Sequence, residues 1–451
     1  MRMLREYWIH YSHKMRRLVT ILVACALPFT AAAQTDLDKL SSDARAELDS
    51  LRRQFEKEAD EALAEYLLFE SQLLEEYEKF RNEVMATWGD SEAVESTRKE
   101  WVEYSPDRRS RTSVDWEKGE VTVEILADMA ETDAVVQERL RRTVNDLLSS
   151  RGSTCAFDSR LLKEEHISDR PLLEGMIDLE RYGLSSADQA LPAPSVPAPS
   201  RGKTLDLSRG KGSAAKSPVR SSSQTTMAET YSKRMVETKN EVPSVFHKPE
   251  VRKVETVQGP KNVVTIKMEL VEDHIPKRAE RFKGMISTHS KSFSVDEPLI
   301  YAVIEQESAF NPAAQSWVPA YGLMQLVPTS GGRDAYRYVH KKDQIPSPDF
   351  LFDPDNNIEL GTGYIKLLMS TTFAAVKDPQ CRILCVIAAY NTGAGNVSRA
   401  INGTRNISKA IPDINKMSYR QLYDHLRNYL PHEETRNYIK MVTEKMEKYK
   451  K

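Results

Sequence analysis

Residues Tyr301–Ala314 read YAVIEQESAFNPAA, an apolar helical run that carries two glutamates two positions apart. Pro298 stands where a first-turn residue is favoured, and Asn311 precedes Pro312, so the helix has a start and a stop. At about 100° per residue, Ile300, Val303, Ile304 and Glu307 gather on one face with Phe310 at its edge. Glu305 points nearly the opposite way. Glu307 is therefore the carboxylate in the apolar stripe, and Glu305 is expected to be a solvated surface charge. Burial disfavours the charged form and raises a carboxyl pKa, which keeps it protonated as a general acid requires. A buried glutamate paired with an arginine or with backbone amides fits burial alone equally well.

The surrounding segments carry further candidates. AYGLMQLVP places Gly322 before Met324 and Gln325, whose amide offers both a donor and an acceptor for sugar hydroxyls or an N-acetyl group. VIAAYNTGAGNV sets Tyr390 and Asn391 at the end of an apolar helix, followed by Gly393 and Gly395. EETRNYIKMV puts Glu434 and Tyr438 four apart on one helix face. Tyr390 is placed to donate to a reacting carboxyl or a ring substituent, or else is a core aromatic. From residue 275 to 451 the pattern is helical throughout, punctuated by prolines, and predicts one all-α domain.

Upstream, the periodicity changes twice. Residues 34–87 form a long amphipathic helix; over residues 36–85 its steps average close to 3.6, with fifteen acidic and seven basic residues. It reads as a solvated spacer, or as a stripe for a protein partner or self-association. Residues 88–185 predict a small α+β domain. Thr112-Val114-Trp116 and Val121-Val123-Ile125 flank a turn at EKGE, a helix covers roughly 131–148, and a later strand, residues 262–270, completes the sheet. Residues 186–228, rich in Ser, Pro, Ala and Gly, cannot bury a core and are expected to be disordered. The fold class is α+β multidomain.

The N-terminus carries an address. Lys14, Arg16 and Arg17 precede LVTILVACALPF and then TAAAQ, so residues 1–33 read as a signal segment cleaved after Ala33. LVAC, ending at Cys25, offers the alternative of a lipidated cysteine and an outer-membrane anchor. Both readings place the protein in the periplasm. Cys381 and Cys385 have helical spacing and read as small buried hydrophobes rather than as a disulfide or a metal site. A formal net charge of −2 over 451 residues gives no pull towards nucleic acid.

ESAFNP, GLMQ, AAYNTGAG and ETRNYI, in this order and spacing, resemble the goose-lysozyme-like domain of bacterial lytic murein transglycosylases over roughly residues 285–450. The stretches WVEYSPDRRSRTSVDWEKGEVTVEIL and VVTIKMELVEDHIPKRAERFKGMI are similar to the N-terminal domain and connecting strand of the membrane-bound lytic murein transglycosylase C family. The resemblance implies a lysozyme-like catalytic domain acting on peptidoglycan glycan strands, with Glu307 as the acid and then the base, and with neither cofactor nor metal. It implies substrate contacts at Ser316, Gln325 and Tyr390, and a groove shaped by Met324, Asn391, Glu434 and Tyr438. The alternatives are a hydrolytic muramidase, which would need a second carboxylate, and a glycan-binding scaffold.

Overall fold

The structure, a computed structural model, describes residues 42–90, 92–150, 171–184, 249–316 and 320–450. The signal segment with Cys25 and Ala33, Cys155, and the insert expected at 186–228 lie outside the described residues. The chain divides into two compact units, residues 1–65 and 66–451. What is described of the first unit is helix, the opening part of α1 (Ser42–Trp88), which ends in the second.

The second unit opens on the last turns of α1 and continues into a five-stranded antiparallel sheet. Its strands are β1 (Glu100–Tyr104), β2 (Ser110–Asp115), β3 (Glu120–Asp128), β4 (Glu250–Thr256) and β5 (Gly259–Glu269), in the order β1-β2-β3-β5-β4. The hairpin of β2 and β3 pairs Val114 with Val121 and Thr112 with Val123. Asp115 closes its turn by accepting from the amides of Glu117 and Lys118, and Gly119 takes the positive φ that the turn demands. The two outer strands were not expected. β1 was hidden beside the hairpin, and β4 reads EVRKVET, whose charges suit an exposed edge.

Alternation gives the sheet two apolar faces. On one, Val114, Val121, Val123, Ile125 and Ile266 meet Leu140, Val144, Leu147 and Leu148 of α2 (Asp133–Ser149) and the segment Leu172–Leu184. On the other, Val102, Tyr104, Leu126, Val254 and Val263 meet Val84 and Trp88 at the end of α1. The Trp88 indole donates to the Arg108 carbonyl and lies under the Arg111 guanidinium. Large side chains buried this completely contribute about 1.5–3 kcal/mol each.

From His274 onward the elements are helical, apart from isolated bridges at Gln315–Tyr321 and Tyr321–Leu326. The helices that build the site are α3 (His274–Phe293), α4 (Glu297–Ser308), α7 (Pro354–Leu367), α8 (Pro379–Thr392) and α12 (Glu433–Tyr449). Between α4 and α7 lie two short helices, α5 (Arg333–His340) and α6 (Pro348–Phe352). Between α8 and α12 lie α9 (Ala394–Asn402), α10 (Ile407–Ile414) and α11 (Tyr419–Tyr429). Cys381 and Cys385 are buried free thiols in this core. Among the described residues no helix is long and apolar enough to cross a membrane.

Basic residues fasten α3 to the sheet domain. Arg278 donates to the Trp116 carbonyl at 2.9 Å with its guanidinium over the Trp116 ring, and Arg281 donates to the carbonyls of Leu172 and Glu174. Ala309, just past the end of α4, packs into the apolar cluster of the sheet. The helical domain and the sheet domain thus share buried surface beside the catalytic-acid candidate.

Candidate active site

α4 begins with Pro298 in its first turn and ends where the chain turns left-handed. Ala309 and Phe310 both take positive φ, 49° and 61°. Such a conformation is costly for residues other than glycine, and two in succession reverse the chain within a residue of Ser308. Phe310 is then buried against Phe282, their rings stacked at 6.4 Å. This abrupt stop places Glu307 in the last turn of the helix.

Glu307 is 4% exposed. Burial pushes its carboxyl above the ordinary value; Arg98 and the Tyr438 hydroxyl pull the other way, the Glu434 charge reinforces the rise and Lys99 opposes it. Its ion-pair partner is Arg98, from the turn ahead of β1, with Nη1 at 3.3 Å from Glu307 Oε2. The other nitrogen, Nη2, lies 2.9 Å from Glu434 Oε1 at the start of α12. Tyr438, one turn further on, is buried, and its hydroxyl meets no partner at full hydrogen-bond geometry among the described residues. It is near enough to Glu307 for each to shift the other, burial and the Glu307 charge both raising the phenol.

Glu305 corrects the sequence reading. It is not a solvated surface charge but buried, held by Lys448 at 2.9 Å, Lys445 at 3.5 Å and the Tyr449 hydroxyl. The reason is that α4 packs on α12 as well as on the core, so the face opposite Glu307 is covered too. Burial alone would raise the Glu305 carboxyl; the Tyr449 hydrogen bond and the two lysines outweigh it and lower it. A depressed native value means that Glu305 stabilises the fold above the ordinary carboxyl range and that this stability is lost as pH falls through the native value. Urea unfolding of wild type and Glu305→Gln is therefore expected to differ clearly at pH 7, the difference shrinking progressively as pH falls below the ordinary carboxyl range.

The loop 320–326 forms the next wall. Gly322 has a φ of 75°, and a Cβ there would lie 2.3 Å from the Leu351 carbonyl oxygen and 2.4 Å from Asn357 Nδ2. Asn357, on α7 and wholly buried, donates to the carbonyls of Tyr321 and Leu351 and accepts from the amide of Met324 at 2.8 Å. Gln325 also has a positive φ, 48°. Its Nε2 donates to the carbonyls of Ala314 and Gly322, which fixes the amide orientation and leaves Oε1 buried without a partner among the described residues.

The remaining candidates divide. Tyr390, at the end of α8, donates to the Met324 carbonyl at 2.8 Å rather than to a carboxyl. That buried carbonyl in an irregular loop needs a donor. Burial first, then the Glu307 charge, raises the Tyr390 phenol. Asn391 accepts from the Thr435 hydroxyl at 2.7 Å and ties α8 to α12. Glu434 is largely exposed and engaged by Arg98. Ser316 is half-buried beside the Gln315–Tyr321 bridge, its amide donating to Ala320. Met324 departs from the groove-lining expectation: its side chain is fully enclosed, packed so closely on Gly361 that a Cβ there would lie 2.2 Å from its sulfur.

Glu307, Arg98, Glu434, Tyr438 and Tyr390 are thus one electrostatic group, and Gln325 and Asn391 stand on the segments that frame it. Arg98 and Asn357 were missed from sequence. Arg98 lies in the polar run STRKEW, which carries no periodic signal, whereas Asn357 falls in one helical stripe with Leu360, Gly361 and Tyr364 and could have been found as Glu307 was. Among the described residues no cluster of His, Cys, Asp and Glu has the arrangement of a metal site.

Comparison with known proteins gives two matched families. Residues 67–181 match the family described as "Membrane-bound lytic murein transglycosylase C, N-terminal domain", and residues 284–411 match "Transglycosylase SLT domain". Curated relatives called membrane-bound lytic murein transglycosylase C include one from Salmonella arizonae, 29% identical over 83% of this chain and 88% of that protein. Another, from Mannheimia succiniciproducens, is 27% identical with the same coverages. Among solved structures, an inactive mutant of the lytic transglycosylase Slt from Pseudomonas aeruginosa is 26% identical over 37% of this chain, with a TM-score of 0.29. The matched region spans 23% of that longer chain.

Proposed function

From the chain's membership of the membrane-bound lytic murein transglycosylase C family, we infer that it cleaves the β-1,4 bond between N-acetylmuramic acid and N-acetylglucosamine in peptidoglycan without consuming water. The observation that carries this reading is Glu307: one acid, almost wholly buried, its charged form disfavoured, at the open end of a helix. Glu434, the carboxylate whose charge acts on it, is already engaged by Arg98, which leaves Glu307 to serve in both halves of the reaction.

Glu307 gives its proton to the glycosidic oxygen as the bond to the muramic C1 breaks. The positive charge that develops at C1 is shared by the substrate's own 2-acetamido group. The Glu307 carboxylate then takes the proton of the C6 hydroxyl of the same sugar, and O6 closes on C1 as a 1,6-anhydro ring. The lent proton leaves on the N-acetylglucosamine hydroxyl, and the one from the C6 hydroxyl returns Glu307 to its acid form. Gln325 Oε1, buried and without a partner among the described residues, suits an acetamido N–H or a sugar hydroxyl, and Ser316 and Tyr390 each bond to the loop that carries it, with Asn391 next in sequence to Tyr390.

The test is mass analysis of the products released from purified peptidoglycan. Muropeptides lighter by one water and lacking a reducing end support the reading. Reducing-end products would replace it with a muramidase. Intact glycan with retained binding would leave a scaffold.

The relatives are called membrane-bound. We place the enzyme in the periplasm at the outer membrane, through Cys25 or by retention after cleavage at Ala33. The mass of the mature N-terminus is expected to separate lipidated Cys25 from a chain that begins at Gln34. Self-association through the long helix remains in the proposal because Leu67 and Leu68 are exposed on it. Light scattering at rising concentration checks it.

A further inference from the structure

We propose that Arg98, delivered from the sheet domain, is the positioning residue that holds the Glu307 carboxylate while it acts as a base. The proposal rests on Glu307 being the acid. Its own support is geometric: one guanidinium spans two carboxylates, with Nη1 at 3.3 Å from Glu307 Oε2 and Nη2 at 2.9 Å from Glu434 Oε1. Arginine's planar fork can bridge two carboxylates with separate nitrogens; the single ammonium of lysine serves both only by giving up geometry at one.

The arginine does not hang on a loose arm. The Thr97 amide donates to the Glu100 carbonyl, and the Thr97 hydroxyl accepts from the amides of Lys99 and Glu100. The Lys99 carbonyl accepts from Trp116, and the hydroxyl of neighbouring Ser96 pairs with the backbone of Val102 in β1. The turn that presents Arg98 is therefore part of the sheet. Ala309, two residues beyond Glu307, packs into that same sheet's apolar cluster. Acid and guanidinium are registered against one body although 209 positions separate them.

The two protonation states of Glu307 need Arg98 unequally. A protonated, neutral carboxyl can sit buried without a counter-charge. Once the proton has gone to the glycosidic oxygen, a buried carboxylate must be compensated or pay a large desolvation penalty. Glu434 keeps Arg98 in place in the first state, so the cation is already present when the second forms. The groups that face Glu307 are Arg98 and Lys99 from the turn, Glu434 and Tyr438 from α12, and Tyr390 from α8. Removing Arg98 deletes an influence that favours the carboxylate; removing Glu434 deletes one that opposes it.

The experiment is the pH profile of kcat/KM for 1,6-anhydro product release by wild type, Arg98→Gln, Arg98→Lys and Glu434→Gln. It is paired with carbon-13 NMR titration of the Glu307 carboxyl, assigned by its loss in Glu307→Gln. The basic limb reports the acid that must be protonated in the free enzyme. In Arg98→Gln the limb and the carboxyl titration are expected to move up by about one pH unit or more. In Glu434→Gln both move down, and Arg98→Lys stays near wild type with a lower rate. A lower rate in Arg98→Gln with both titrations unmoved overturns the proposal, since a merely structural role changes rate without moving the limb. Should Arg98→Gln fail to fold, Glu434→Gln decides by its downward shift or its lack of one. If wild type releases no anhydro product, the transglycosylase reading fails, while the carboxyl titration still decides the role of Arg98.

Discussion

Glu307→Gln is expected to lower the release of 1,6-anhydro-muropeptides by at least about 100-fold, the lower end of what a positioned general acid contributes. Glutamine keeps the shape of the side chain and removes the only proton that the reaction borrows. The protein should remain folded, because the substitution takes a carboxyl out of a site that disfavours its charged form, and Arg98 keeps Glu434. Thermal melting at pH 7 and turnover of purified peptidoglycan, measured on the same sample, check both halves. Glu305→Gln, two residues away, should give the opposite pattern: reduced stability at pH 7 and chemistry largely retained in the folded fraction. Activity lost equally in both variants would assign the effect to the helix rather than to the acid.

Asn357→Leu is expected to be the most damaging change outside the reacting groups. It would leave the Met324 amide and the Leu351 carbonyl without their Asn357 partner and the Tyr321 carbonyl with the Leu326 amide alone. At about 1–3 kcal/mol for each of the two groups that lose their partner, the loss should reach about 2 kcal/mol or more. The loop that carries Gln325 and receives the Tyr390 hydroxyl would loosen, so kcat/KM should fall in the molecules that remain folded. Asn357→Asp separates hydrogen bonding from volume, since it keeps the size but turns an oxygen towards two carbonyls. Chemical denaturation of both variants is the check; stability within about 0.5 kcal/mol of wild type, the range of an ordinary surface change, would show the network to be dispensable.

The sequence is legible wherever one periodicity governs one face. The hairpin of β2 and β3, the strand that became β5 and the long helix α1 all announce themselves by spacing. Glu307 does so too, as a carboxylate in an apolar stripe. Glu305 was misread by the same rule, which assumes that a helix has a wet side. α4 has none at that point, and the partners of Glu305 come from the lysine-rich end of α12, where composition alone shows only a charged tail. Arg98 was out of reach for a different reason. It lies in a polar turn, and nothing local reveals that tertiary folding carries it to a buried acid. Met324 shows the converse: a motif position can matter through its backbone amide and carbonyl while its side chain is ordinary core.

The pairing of β3 with β5 joins Asp128 to Lys261, with the whole intervening chain leaving and re-entering the sheet between them. Between these strands the segment Leu172–Leu184 packs on the sheet, and the chain is described again from residue 249. Loop-closure entropy grows only logarithmically, about 0.6 kcal/mol for each doubling of length. The sheet therefore sets the anchors, Leu184 on one side and residue 249 on the other, and a change in the number of residues between them costs little in closure entropy.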